Sequence, residues 1–187
     1  MAEKKYTPMM QHYLKMKEEN PDSILFYRLG DFYEMFFEDA KLVSQELDLV
    51  LTGRSAGVEE KVPMCGIPFH AANSYIQRLV KKGYKVAICE QLEDPSSAKG
   101  LVDRGIIKII TPGTYMDATM DAKSTNYMAS CDVSSFEITV IYCELSTGEL
   151  KYQTLQRSLV ALQKALLEQN VSELVCPMTM DKKWMAA

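Results

Sequence analysis

The 187-residue sequence lacks the features that mark membrane or exported proteins. It contains no run of about 18 apolar residues, the length that a membrane-spanning helix needs. Its N-terminal residues, Met1-Ala2-Glu3-Lys4-Lys5, lead into no hydrophobic signal region. These absences predict a cytoplasmic protein.

The sequence also lacks paired cysteines. Five cysteines are scattered along the chain, and none forms a Cys-x-x-Cys motif. An odd, dispersed set predicts reduced and mostly buried thiols, and it argues against a disulfide framework or a zinc site.

Two further absences concern nucleotides and nucleic acids. No Gly-x-x-x-x-Gly-Lys-Ser/Thr loop occurs, so the chain has no recognisable ATP-binding loop, no catalytic residues are predicted and the chain is expected not to be an enzyme. The net charge is −4. A protein that holds DNA mainly by neutralising phosphates should be basic. Any nucleic-acid role of this chain must therefore depend on a few specific contacts.

What is present is an alternation of helical and extended patterns over residues 1–111. Thr7-Pro8 is typical of a helix start, and Asn20-Pro21 of a helix end. Further helices are predicted at residues 38–47 and 71–82, and strands at 50–52, 84–90 and 106–110. Residues 53–61 and 94–100 are expected to be loops, and 62–68 to be irregular because of two prolines and a glycine. The fold class is α/β, a mixed sheet flanked by helices.

The pair Gly30-Asp31 lies between two apolar runs, residues 24–29 and 32–37, and predicts a tight hairpin. Strand alternation would place Phe32, Glu34 and Phe36 on one face and Tyr33, Met35 and Phe37 on the other. This pattern alone favours an ordinary core hairpin with a solvated glutamate.

The pattern changes after residue 111. Residues 112–126 read as a linker, and residues 127–187 as a second, truncated domain. Strands are predicted at 127–133, 136–145, 150–155 and 173–176, with a helix that begins after Ser158. This order is the opening half of a ribonuclease-H-like fold, so the chain is expected to be a fragment cut inside its second domain.

Five blocks of sequence, in order, resemble the N-terminal region of the bacterial MutS family of DNA mismatch-repair proteins. The blocks are TPMMQ from Thr7, FYRLGDFYE from Phe26, PMCGIPFH from Pro63, AICEQ from Ala87 and TPGT from Thr111. The resemblance implies a mismatch-recognition domain over residues 1–111 and the start of a connector domain over 127–187.

The resemblance gives the hairpin a role. The family's Phe-x-Glu motif enters the DNA minor groove at a mispair, and here it is Phe32-Tyr33-Glu34. Phe32 would stack on one mispaired base as a wedge, and Glu34 would hydrogen-bond to that base. Because phosphates repel an anion, Glu34 must either donate in protonated form, which is the hypothesis preferred here, or accept from a base donor.

Four other positions match residues that flank the intercalation site in the family. Arg54 would hold the DNA backbone, unless it is a solvated loop charge. Leu29, Pro63 and Met64 would border the wedge, unless they pack internally. His70, just before the third helix, is expected to be a capping or core residue.

The resemblance further implies partners that act outside this chain. Mismatched duplex DNA would be the ligand. A homodimer would form through regions absent here, and downstream mismatch-repair proteins would bind through the connector domain. ATP and magnesium would be cofactors of the full-length protein, with none in this chain. The expected location is the bacterial cytoplasm, at the nucleoid, and weak or undetectable DNA binding is expected of the chain alone.

Two alternatives stay open. A metal-dependent nuclease would need converging acids, for which Asp132, Glu137 and Glu144 are candidates. A protein-interaction module that touches no DNA would fit the negative charge.

Overall fold

A computed structural model describes residues 6–93, 102–116 and 126–185. The chain divides into two compact units, Met1–Thr111 and Pro112–Ala187. The expected loop at 94–100 and most of the expected linker at 112–126 lie outside the described residues.

Unit 1 is built on a six-stranded sheet in the order β3-β4-β2-β1-β5-β6. Its helices are α1 (Pro8–Glu19), α2 (Phe37–Leu47) and α3 (Ala72–Lys81), and its strands are β1 (Ser23–Leu29), β2 (Phe32–Phe36), β3 (Thr52–Arg54), β4 (Val62–Pro68), β5 (Lys85–Gln91) and β6 (Arg104–Ile110). β1 and β5 are parallel, and the other neighbouring pairs are antiparallel. The prediction of an α/β fold with a mixed, helix-flanked sheet is confirmed.

One face of this sheet packs against α1. The Thr7 side chain accepts a hydrogen bond from the Met10 amide at 3.4 Å, and Pro8 occupies the first turn, as the sequence predicts. Met10 and Tyr13 are buried against strand residues of the sheet, among them Phe36. The Tyr13 and Phe36 rings meet edge to face at 4.9 Å. α1 thus covers the part of this face that lies away from the β1–β2 turn.

The opposite face packs against α2 and α3. The buried Cys65 thiol on β4 donates to the Ala40 carbonyl of α2 at 3.4 Å. The helices contribute further buried side chains, which are Val43, Leu47, Ile76, Leu79 and Val80. The centre of the sheet is therefore buried on both faces.

The predicted Gly-Asp turn joins β1 to β2, and Leu29 stands opposite Phe32 in the register. Gly30 adopts φ +57°, in the left-handed region that glycine enters without a steric cost.

We expect the substitution Gly30→Ala to destabilise unit 1 by about 1 kcal/mol through the backbone alone. A Cβ at this position would meet no atom within 4 Å, so no clash adds to the conformational cost. Urea unfolding measures the change, and Gly30→Asn is the control, because asparagine tolerates this conformation better than alanine. Equal stability of the Gly30→Ala protein and the parent would contradict the turn geometry.

Three local predictions in unit 1 are wrong. Residues 62–68 are not irregular but form β4, because Pro63 and Pro68 stand near the two ends of the strand and leave its centre free to pair. The strand expected at 50–52 is β3 at Thr52–Arg54, so Arg54 lies on a strand and not in a loop. Phe37 does not continue β2; it begins α2 with φ +53°, since no residue separates strand from helix.

Unit 2 contains a four-stranded sheet in the order β10-β7-β8-β9. Its elements are β7 (Tyr127–Val133), β8 (Glu137–Glu144), β9 (Glu149–Gln156), α4 (Leu159–Glu168), β10 (Val171–Val175) and α5 (Lys182–Met185). Strands β7 to β9 form the expected meander, and Ser158 caps α4 through the Ala161 amide at 3.4 Å. The parallel strand β10 follows α4 as expected, beginning two residues earlier than predicted. That these elements are the opening half of a ribonuclease-H-like domain stays a prediction.

Candidate nucleic-acid interface

Phe32 is the exposed aromatic of the hairpin. The residue is 48% exposed, whereas Tyr33 and Met35 on the same strand are 7% and 0% exposed. The alternation of β2 thus holds at its start: Tyr33 and Met35 anchor the strand and Phe32 faces outward. A large apolar ring exposed at the end of a buried sheet has surface available for a ligand.

Glu34 lies two residues further along the Phe32 face and is paired with a cation. An Arg54 Nη1 atom donates to Glu34 Oε2, and the Glu34 and Arg54 side chains are 15% and 37% exposed. Gly66 of β4 stands opposite Glu34, and a Cβ there would lie 3.4 Å from the Glu34 Cγ. The ion pair therefore reaches across β4 at a position where that strand has no side chain.

This pair changes the electrostatic problem posed by the sequence. The guanidinium of Arg54 offsets the repulsion that an isolated carboxylate would meet near phosphates. The guanidinium also occupies one carboxylate oxygen of Glu34. For Glu34 to hydrogen-bond to a base, the ion pair must therefore open, or Arg54 and the base must share the carboxylate.

The other expected flanking residues are not all close to the wedge. Leu29 is directly opposite Phe32 and half-buried. Met64 pairs with Phe36, four residues along β2 from Phe32, a separation of about 13 Å. Pro63 is one residue further and stands opposite Gly53 of β3. Leu29 and Met64 both pack against the α1-side core, as the alternative of internal packing predicts for these two residues.

His70 is neither the core nor the capping residue that the sequence predicted, because it is exposed and α3 begins after Ala71 with no side-chain cap. It is exposed in the short 3-10 turn Phe69–Ala71 that follows β4, with its ring edge to face with Phe69 at 5.8 Å.

Sequence reasoning missed residues from three other segments that meet at the hairpin. Pro68 stands opposite Phe32 across the β2–β4 ladder. Behind the hairpin, Arg28 contacts Phe69 and Glu90. Two of the blocks quoted for the resemblance contain Pro68, Phe69 and Glu90, and that was the available signal.

Tyr33 ties the hairpin to β5, because its hydroxyl donates to Glu90 Oε1. Burial raises the pKa of Tyr33 to about 12, and the neighbouring Glu90 carboxylate acts in the same direction. A tyrosine in an unfolded chain titrates near 10, at about its unperturbed value. The contribution of the protonated Tyr33 hydroxyl to the free energy of unfolding is thus complete below about pH 10 and is lost as the pH rises towards 12.

We therefore expect the free energy of unfolding to fall more steeply between about pH 10 and pH 12, the window between the two pKa values, in the parent than in the Tyr33→Phe variant. Urea unfolding at several pH values measures both slopes. Other tyrosines ionise in both proteins, so the difference between the slopes isolates Tyr33. Parallel slopes would contradict the assignment.

The three acids considered for a nuclease do not converge. Glu137 and Glu144 are the first and last residues of β8, about 24 Å apart along the strand. Glu144 is buried and accepts hydrogen bonds from Ser146 and Thr147, which lower the pKa of its carboxyl to about 2. Within residues 6–93, 102–116 and 126–185, no group of three His, Cys, Asp or Glu side chains could hold a metal ion. These three acids therefore do not form the converging set that two-metal cleavage needs.

Among the helices that the structure describes, none is long and apolar enough to cross a membrane.

Fold and site define a mixed α/β domain that presents an exposed phenylalanine beside a carboxylate–guanidinium pair. The family model for MutS domain I matches residues 7–119. The chain therefore belongs to the MutS family, and the resemblance carried by the five sequence blocks is confirmed.

Curated relatives agree with this assignment. The DNA mismatch repair protein MutS of Clostridium botulinum strain Loch Maree is 54% identical over 177 residues, covering 89% of this chain and 19% of that protein. The protein of the same name from Clostridium tetani is 58% identical over 146 residues, covering 78% of this chain and 17% of that protein. The chain spans about a fifth of the length of these relatives.

Proposed function

We propose that unit 1 recognises mispaired or unpaired bases in duplex DNA by inserting Phe32 into the minor groove. The observation that carries the proposal is the 48% exposure of Phe32 on a strand whose next residue, Tyr33, is buried. The relatives are named DNA mismatch repair protein MutS, which supports the same function.

The chemistry of a wedge suits a sensor that must accept many mispairs. Stacking an aromatic ring on a base contributes about 1–3 kcal/mol and tolerates any base identity. A mispaired step is easier to unstack and bend than a matched step, so insertion costs least at the lesion. Selectivity then comes from deformability of the DNA more than from base edges.

Glu34 would supply the polar part of the contact. We propose that the Glu34–Arg54 pair opens on binding, so that Glu34 bonds to the base that Phe32 stacks on and Arg54 turns towards the DNA backbone. A protonated Glu34 could donate to a base acceptor once Arg54 has moved. Leu29, opposite Phe32, would border the wedge, whereas Pro63 and Met64 would contact DNA only if the groove extends along β4.

Charge sets a limit on what this chain does alone. With a net charge of −4, few phosphates can be neutralised, so we expect weak binding by the isolated chain. Regions beyond this chain would supply most phosphate contacts, the homodimer and the site for ATP and magnesium.

A second role is favoured by unit 2. Its outer sheet face exposes apolar side chains that pair across β8 and β9, namely Ile141 with Tyr152 and Cys143 with Leu150. Leu150 and Tyr152 are 70% and 78% exposed. Exposed apolar patches mark protein contacts, so this face is the proposed surface for downstream repair proteins.

The test of the principal proposal is a comparison of mispaired and matched duplexes. It uses the full-length form, meaning a protein of the relatives' length with this sequence at its N-terminus. A preference for the mispaired duplex that depends on Phe32 supports the proposal. An interaction module that touches no DNA would show neither preference nor dependence.

A further inference from the structure

Arg28 lies behind the hairpin, on the sheet face opposite Phe32. It pairs with Tyr33 in the β1–β2 register, so both side chains project to this face, whereas Leu29 and Phe32 project to the other. The Arg28 guanidinium carbon lies 3.7 Å from the centroid of the Phe69 ring, a stacked cation–π contact.

The Nε and Nη1 atoms of Arg28 contact two different segments of the chain. Its Nε donates to the Gly30 carbonyl in the turn that carries Phe32. Its Nη1 lies 3.4 Å from Glu90 Oε1 on β5. Glu90 in turn accepts a hydrogen bond from the Tyr33 hydroxyl. One hydrogen-bond network therefore connects both strands of the hairpin to β5.

The backbone of Phe69, whose ring stacks on Arg28, also holds the turn. The Phe69 amide donates to the Asp31 carbonyl at 2.9 Å, joining the 3-10 turn after β4 to the residue that precedes Phe32. Arg28 therefore connects the turn, β5 and the 3-10 turn through a single planar group. A guanidinium can stack and donate in several directions at once, which the ammonium of lysine cannot do.

Arg28 is poorly placed to serve as a phosphate ligand. Its side chain is 16% exposed, and its charge is already paired with Glu90. It also projects from the face opposite the wedge. Its contacts suit a residue that fixes the turn and so the direction in which Phe32 projects.

We propose that Arg28, stacked on Phe69 and paired with Glu90, is a positioning residue that sets the presentation of the Phe32 wedge. This inference rests on the proposed function. Without Arg28 the turn has more freedom, and the ring must be ordered again when it enters a mispair. Matched DNA, which the wedge does not enter, would be bound as before.

The experiment uses the variants Arg28→Lys and Phe69→Leu in the full-length form. We expect each to lower the affinity for a mispaired duplex by about fivefold, the value of an ordinary cation–π contact, with the affinity for a matched duplex unchanged. Because both remove the same stack, the double variant should be no worse than Arg28→Lys, which also loses the contact with the Gly30 carbonyl. Phe69→Tyr keeps a ring under the guanidinium and should retain the full preference.

A matched control and a second readout complete the design. Lys85→Met breaks the Lys85–Asp22 pair (2.9 Å) at the far end of β5 and should change neither affinity. Hydrogen exchange of the Phe69 amide, measured in this chain without DNA, should accelerate in Arg28→Lys and not in Lys85→Met.

Three results would overturn the inference. Equal losses on mispaired and matched duplexes, with a smaller salt dependence, would make Arg28 a phosphate contact. Loss of both affinities together with global stability would make its role only structural. Unchanged preference in Arg28→Lys, while Phe32→Ala abolishes it, would reject positioning and leave the wedge intact. If Phe32→Ala itself had no effect, the proposed function would fail, and the exchange measurement would still decide whether Arg28 holds the turn.

Discussion

Replacing Phe32 with alanine is expected to lower the affinity of the full-length form for a mispaired duplex by about 30-fold, corresponding to about 2 kcal/mol of lost base stacking. Affinity for the matched duplex should change little, because a ring that does not enter the stack contributes nothing there. The folded state should tolerate the change, since Phe32 is already 48% exposed. Fluorescence anisotropy with paired duplexes that differ at one base measures both affinities.

Graded variants sharpen this prediction. Phe32→Tyr keeps an aromatic face and should retain most of the preference, whereas Phe32→Leu fills space without stacking and should lose most of it. Phe136→Ala, which removes an 89% exposed ring from unit 2, is the matched control and should have no effect. The wedge would be disproved if Phe32→Leu behaved like the parent.

Glu34 and Arg54 are expected to be coupled. Arg54→Ala leaves the Glu34 carboxylate without its cation where phosphates approach, so both duplexes should bind about tenfold more weakly. Adding Glu34→Gln removes the carboxylate and should restore part of that loss. In the parent background, Glu34→Gln keeps a hydrogen-bond donor and should retain the mismatch preference, whereas Glu34→Ala should lose about tenfold in mispair affinity.

A double-mutant cycle on these positions measures the coupling. Glu38→Gln on α2 is the control, because its ion pair with Lys41 at 2.7 Å is exposed and lies on a helix outside the Phe-x-Glu motif. Additive losses at Glu34 and Arg54 would show that the pair seen without DNA has no part in binding. A collapse of Glu34→Gln as severe as that of Glu34→Ala would reject hydrogen-bond donation by a protonated Glu34.

The parts of the fold that the sequence predicted well are those set by neighbouring residues. Thr7-Pro8 starts α1, Gly30 makes the hairpin turn, and Ser158 caps α4, each through a contact or backbone angle within three residues. Such local signals are strong because only a few residue types satisfy them. Alternation placed Phe32 and Tyr33 on opposite faces, but alone it favoured a core hairpin, and it was the resemblance that predicted an outward-facing Phe32.

The errors occur where distant pairing decides the structure. Pro63 and Pro68 argued against a strand, yet β4 forms because β2 and β3 pair with it on both sides. Arg54 was read as a loop residue because the three-residue strand β3 exists only through that ladder. The β2–α2 junction could not be read from the sequence, since φ +53° at Phe37 is required by a direct strand-to-helix connection.

The candidate site shows the same division. The Phe-x-Glu spacing and the resemblance pointed to Phe32 and Glu34, but no local pattern joins Glu34 to Arg54, twenty residues away. The contacts of Arg28 with Phe69 and Glu90 arise from segments brought together by the register of β1 with β5 and of β2 with β4. Only the three-dimensional sheet makes these residues neighbours.

The most direct test of the wedge is a tryptophan placed at its position. In the Phe32→Trp full-length form, the difference from the parent's fluorescence isolates the new indole. Stacking on a base should quench that signal when a mispaired duplex is saturating, and a matched duplex at saturation should leave the indole solvent-exposed and unquenched. Equal signals with the two duplexes would contradict insertion of residue 32 at the mispair.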